Sequence, residues 1–239
     1  MDKRYLLIKF RKREHLEQLR NGIVHFSRLE SFQNDPTSFR GDKMEGKNYI
    51  DPSKPFLING TGFSRYVKEA TISYEFVNCT VLSFSASVLS HKNCHLISDG
   101  IYTPNDDFIA EMSQFGDYFL VFEAIIFINS LRKTFETAGC DWECHPMTYM
   151  DKHNHELVRD YYEQLGNDRN DSAHLFVKDT ANSYSLQNEW RMVIFDHGNH
   201  YSVDKNGGAN IQTNFSAKMP IFSIDKLKTL QCSREFLCT

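Results

Sequence analysis

The chain reads as an α+β fold, with mixed or antiparallel sheets and helices at the periphery. Two observations carry that reading. Strand-like segments outnumber helical ones, and the two kinds do not alternate regularly, which argues against a doubly wound parallel sheet. The run Tyr118 to Ile128 is apolar on both faces, as a central strand would be. With 239 residues, 41% of them hydrophobic and 19 of them Phe, one sizeable core can form. A single domain, 1–239, is expected.

The elements follow in order. Tyr5 to Phe10 reads as a strand. Arg13 to Arg20 reads as a helix because Leu16 and Leu19 recur at helical spacing, and Asn21-Gly22 stops it. Ile23 to Phe26 is a second strand. The polar segment Ser31 to Gly46, punctuated by Asn34-Asp35-Pro36 and Arg40-Gly41-Asp42, lies on the surface or over a cleft. Thr71 to Val77 and Thr80 to Ser85 are expected to pair with each other. Ser87 to Asp99 is polar and irregular, and Asp106 to Phe115 is a helix. Asn154 to Leu165 is a second helix, with Leu157, Tyr161 and Leu165 as its apolar stripe. Asn206-Gly207-Gly208 marks a turn, and Pro220 to Leu230 supplies a late strand.

Composition excludes several classes. A net charge of -4 gives no basic nucleic-acid footprint. No uncharged apolar run is long enough to span a bilayer, and the first ten residues lack a signal-like apolar stretch, so a cytoplasmic protein is expected. In that compartment the six cysteines are expected to be reduced thiols. Cys140-x-x-x-Cys144-His145, followed by His153 and His155, hints at zinc. The spacing lacks a second clean pair, so no metal site is assigned. Gly207-Gly208 has no lysine-serine after it and is a turn rather than a phosphate loop.

The chemistry-bearing stretch is Gln187-Asn188-Glu189-Trp190-Arg191-Met192-Val193-Ile194-Phe195. Read as a strand, it places Gln187, Glu189 and Arg191 on one face. Polar groups on a buried strand need partners or a cleft. Two earlier strands end in Lys9-Phe10-Arg11 and Ser83-Phe84-Ser85.

Together these features resemble the arginine, serine-x-serine and glutamine-x-glutamate pattern of the ADP-ribosyltransferases. The resemblance implies an ADP-ribosyltransferase-like fold with NAD as substrate. Arg11 would hold a phosphate of NAD, and Ser83, Phe84 and Ser85 would line the nicotinamide pocket. Glu189 would stabilise the charge that builds as nicotinamide departs, and Gln187 would position the acceptor: a protein, a nucleic acid or water. The order of features is also similar to a broad group of bacterial and phage proteins. The matching residues are Phe32-Gln33-Asn34-Asp35-Pro36, Leu82-Ser83-Phe84-Ser85 and Glu189-Trp190-Arg191. That setting suits a toxin or antiphage defence. The long separation of Ser83 from Glu189 then implies insertions around 87–117 and 132–172.

Each residue also has a plainer reading. Glu189 and Arg191 can form a simple ion pair on a strand face. Arg11 can belong to a solvated basic patch with Lys12 and Arg13. Ser83 and Ser85 fit ordinary half-buried alternation. Asn34 and Arg40 could cap an NAD-sized ligand or merely build turns. Asp42 and Glu45 are reserve carboxylates. The alternative to an enzyme is a catalytically inactive module that senses a nucleotide, or a protein-interaction module such as an inhibitor or adaptor.

Overall fold

Two strands joined by a helix open the fold: β1 (Leu6–Arg11), α1 (Arg13–Arg20) and β2 (Ile23–Arg28). They are seen in a computed structural model that describes residues 4–35, 46–50, 57–58, 61–62, 70–73, 79–165, 170–180 and 184–238. In α1, Leu16 and Leu19 are buried, as their spacing requires. Gly22 ends the helix with φ 87°, and a β-carbon there would come within 2.6 Å of the Thr213 carbonyl oxygen. Only glycine fits that turn.

A short helix, α2 (Leu29–Gln33), follows β2. Four brief strands come next: β3 (Lys47–Ile50), β4 (Leu57–Ile58), β5 (Thr61–Gly62) and β6 (Ala70–Ser73). The long strand β7 (Thr80–Val88) then leads to the hairpin of β8 (Cys94–Ser98) and β9 (Ile101–Pro104). Helix α3 (Asp106–Met112) is capped by the Asn105 side chain, which accepts from the Phe108 N–H. β10 (Tyr118–Glu123) runs into α4 (Ala124–Ala138). The remaining elements are β11 (Asp141–Pro146), β12 (Thr148–Met150), α5 (His155–Leu165), α6 (Asn170–Ala173), β13 (Val177–Asp179), β14 (Glu189–Asp196), β15 (Gly208–Gln212), β16 (Phe222–Ser223) and β17 (Cys232–Ser233).

The architecture is α+β, with helices around sheets that are antiparallel apart from the parallel pair of β12 and β13. Among the described residues the main sheet has eight strands in the order β11-β14-β7-β1-β10-β16, with β2 also on β7 and β15 on β2. β7 pairs with β14 along its whole length, from Glu189↔Ser87 to Asp196↔Thr80. Its other edge is shared. β1 takes the Ser87–Val88 end, and β2 takes the Leu82–Ser83 end. Between those contacts β1 and β2 diverge, and α1 joins their splayed ends. The resulting gap lies beside Phe84, Ser85 and Ala86.

Alternation along β7 and β14 sends Phe84, Ala86, Val88, Trp190, Met192 and Ile194 into the main core. Helix α4 closes that core with Phe127, Leu131 and Phe135, all fully buried. Two smaller cores cover the opposite face. One gathers Ile8, Phe10, Phe108 and Phe119, and the other Leu29, Leu175, Phe176 and Val193.

Several sequence expectations are corrected. The run from Tyr118 to Ile128 is a strand only to Glu123 and then turns into α4. An apolar run alone does not distinguish a strand from a buried helix, and Gly139, left-handed at φ 71°, marks where this one stops. β6 pairs with β3 rather than β7. The stretch 94–98, read as irregular, forms a hairpin strand. The late strand shrinks to Phe222–Ser223, followed by a 3-10 helix. Leu157, expected in the apolar stripe of α5, is exposed. Separately, β11, which falls within 132–172, pairs with β14 over six residues of the main sheet.

Candidate functional site

Glu189 begins β14 on the face opposite α4. Burial would raise its pKa, but the Arg191 guanidinium and the Lys178 ammonium overcome that cost and hold it at about 2. Lys178 Nζ lies 2.6 Å from Oε2, and Arg191 donates to Oε1 through Nη2 at 3.0 Å and Nε at 3.1 Å. All three side chains are over 90% buried. Arg191 also donates to the Leu175 carbonyl at 2.7 Å, and its guanidinium lies 5.9 Å from the Phe32 ring centre. The Glu189 N–H donates to the Tyr149 hydroxyl at 2.8 Å. The carboxylate is therefore fixed, ionised and shared between two cations.

Gln187 does not share the strand with Glu189, as the extended reading required. It ends a 3-10 helix, Tyr184–Gln187, and Asn188 turns the chain with φ 43° before β14 starts. Asn188 holds that left-handed turn by donating to the Val88 carbonyl at 2.7 Å and to Ser90 Oγ at 2.9 Å. Gln187 still reaches the same space, and its amide donates to Glu111 Oε1 at 3.0 Å.

Arg11, Ser85, Gln187 and Glu189 line one narrow cavity of about 50 Å³, with Lys9, Lys178, Phe32 and Met112 among its other walls. A larger compartment of about 530 Å³ adjoins it through Lys9, Arg11 and Phe32, and extends over Phe84 to His15, His25 and Asp35. The gap between β1 and β2 forms its floor. Lys9 occupies that gap: its ammonium donates to the Ser85 carbonyl, which the diverging strands leave unpaired, and lies 4.6 Å from the Phe84 ring centre. Among the described residues its lining carries Lys9, Arg11 and Lys178 against Glu189 and Asp35, with Lys178 paired to Glu189.

The other expected site residues separate. Ser83 is buried between β2 and β14, and its hydroxyl has no hydrogen-bond partner among the described residues. It braces nothing. Phe84 is mainly a core ring, packed at a tilt against Phe26 and Phe127, and it also lines the larger compartment. Asn34 is exposed and its amide donates to the Glu30 carbonyl at 2.9 Å, which assigns it to the end of α2. Arg40, Asp42 and Glu45 lie outside the described residues. The zinc hint is not assembled as spaced. Cys144 faces the main core opposite Met192, and His145 faces Phe176 on the other side of β11.

Sequence reasoning missed Lys178, Lys9 and Met112. The signal for Lys178 was a lone lysine closing the apolar run Leu175-Phe176-Val177. A cation on a buried strand needs a counter-charge, but the sequence does not say which carboxylate supplies it.

Comparison with family models, curated proteins and solved structures gives no match to this chain. Among the described residues no helix is long and apolar enough to cross a membrane.

Proposed function

We propose that the cleft binds NAD and breaks its nicotinamide–ribose bond, making the protein an ADP-ribosyltransferase or an NAD-consuming glycohydrolase. The observation that carries this is the convergence of Arg11, Ser85, Gln187 and Glu189, distant in sequence, on one cavity. Arg11 and Lys9 face the larger compartment, where donors of fixed charge suit a pyrophosphate. Glu189 lies at the narrow end.

In the reaction the electron pair of the ribose C1′–nitrogen bond passes to the pyridinium nitrogen, and nicotinamide leaves neutral. C1′ takes on oxocarbenium character, and an oxygen of water or of an acceptor bonds to it, losing its proton to solvent. A fixed, ionised carboxylate beside C1′ stabilises that charge. Here Oε2 is held by Lys178, so a ribose hydroxyl must displace the ammonium before Glu189 can act. The 50 Å³ cavity likewise admits a sugar only once a wall side chain such as Lys178 swings aside.

That same ion pairing favours a second reading. A carboxylate neutralised by two cations offers little field to a developing positive charge, and the cationic cleft then suits a nucleotide-sensing module without catalysis. One experiment separates the two. Purified protein incubated with NAD is expected to release nicotinamide, and Glu189→Gln to lose most of that release while still binding NAD. Binding without release in the wild type would establish the sensing module. Neither binding nor release would sink both readings.

A further inference from the structure

At the far end of β14, about 23 Å from Glu189 at an ordinary strand rise, lies a second group of reactive side chains. Cys140 Sγ lies 3.7 Å from Asp196 Oδ1 and 3.7 Å from His200 Nδ1, and the latter two are 2.9 Å apart. One thiol, one imidazole and one carboxylate thus face a common point. Donors bound tetrahedrally to zinc at about 2.0 to 2.3 Å are separated from one another by roughly these distances. Cys140 and Asp196 are buried, and the His200 side chain is 44% exposed, so the point opens toward solvent on one side.

The backbone holds the donors in place. Cys140 is fixed directly after α4 by its N–H bond to the Phe135 carbonyl at 3.0 Å. Asp196 ends β14, and its carboxylate accepts the N–H groups of His200 and Tyr201, each at 3.0 Å, closing the turn that carries the histidine. Gly198 lies directly against the His200 ring. A β-carbon at that position would collide with the imidazole. The Tyr201 hydroxyl, buried against the same core, has no hydrogen-bond partner among the described residues.

We infer that Cys140, Asp196 and His200 form a zinc site, with a water or an external ligand in the fourth position. A sulfur, nitrogen and oxygen donor set suits zinc over magnesium or calcium, which take oxygen alone. Binding replaces the thiol proton with metal and releases that proton to solvent. The ion ties the end of α4 to the turn after β14, two points brought together only by the fold, and leaves the cleft untouched.

The test uses the full chain stripped of metal by a chelator and titrated with Co²⁺. One equivalent is expected to give a thiolate-to-cobalt charge-transfer band that Zn²⁺ removes by displacement. Cys140→Ser abolishes the band, and Cys144→Ser keeps it. Gly198→Ala removes no donor but pushes the imidazole off its position, and weakens binding about tenfold or more. Zn²⁺ raises the melting midpoint of the wild type and not that of Cys140→Ser. A wild type without the band, or a band that survives Cys140→Ser, overturns the assignment.

Discussion

The two faces of β7 and β14 show how one pair of strands meets opposite demands. Against α4, Phe84, Trp190, Met192 and Ile194 pack with Phe127, whose ring lies 4.9 Å from that of Phe84 and 5.0 Å from those of Phe122 and Phe215. On the other face Ser85, Ser87, Glu189 and Arg191 form a polar seam between two smaller apolar cores. The first face gains stability from every side chain it buries. The second buries two cations and an anion, an arrangement that adds little net stability because desolvation offsets the attraction. The difference teaches that one layer buries apolar side chains alone, while the other sets buried charge between two smaller cores.

Truncation of the apolar face is the severest test. Phe127→Ala should cost roughly 3–5 kcal/mol in urea unfolding, since a filled aromatic site cannot collapse fully. A loss below about 1 kcal/mol would show that α4 is not the stabilising layer.

Glu189→Gln should come next, at about 3 kcal/mol, because Lys178 and Arg191 would remain buried without a counter-charge. This ion pairing also sets a pH dependence. The folded pKa of Glu189 is depressed to about 2 from 4.5, so its contribution is fully present above about pH 4.5 and is lost as pH falls toward 2. Unfolding midpoints measured across that range should fall more steeply in the wild type than in Glu189→Gln. Parallel curves would mean that the carboxylate is not held by its neighbours.

The smallest effect should come from the largest substitution. Replacing the three charges together, Lys178→Met with Glu189→Leu and Arg191→Met, should leave stability within about 2 kcal/mol of the wild type. The same protein should lose NAD binding. A collapse of the fold would assign the seam a structural role and weaken the functional one.

Much of this layout was legible in the chain. The strand segments 80–85 and 187–195 were readable, though not that they pair with each other, and Leu16 with Leu19 located α1. Arg11 and Glu189 were legible because each polar side chain stood at the margin of an apolar run. Other features were hidden for physical reasons. Asn188 adopts a left-handed conformation that residue type permits but does not demand, so the break between Gln187 and Glu189 left no mark. Lys178 and Glu189 meet through tertiary packing alone, and no local pattern encodes such a pair. The helix α4 hid inside a strand-like run because Ile125-Ile126-Phe127-Ile128 is equally at home in either element.

One property of β14 reaches further. It is buried at all eight positions, Glu189 through Asp196. A strand with one wet side lets every second residue drift under selection, but this one offers no such slack. Slippage by a single step would also exchange tryptophan for arginine on each side. Among the described residues the segment should therefore be one of the least forgiving of sequence change, and its length sets the spacing between the carboxylate at one end and the thiol–imidazole group at the other.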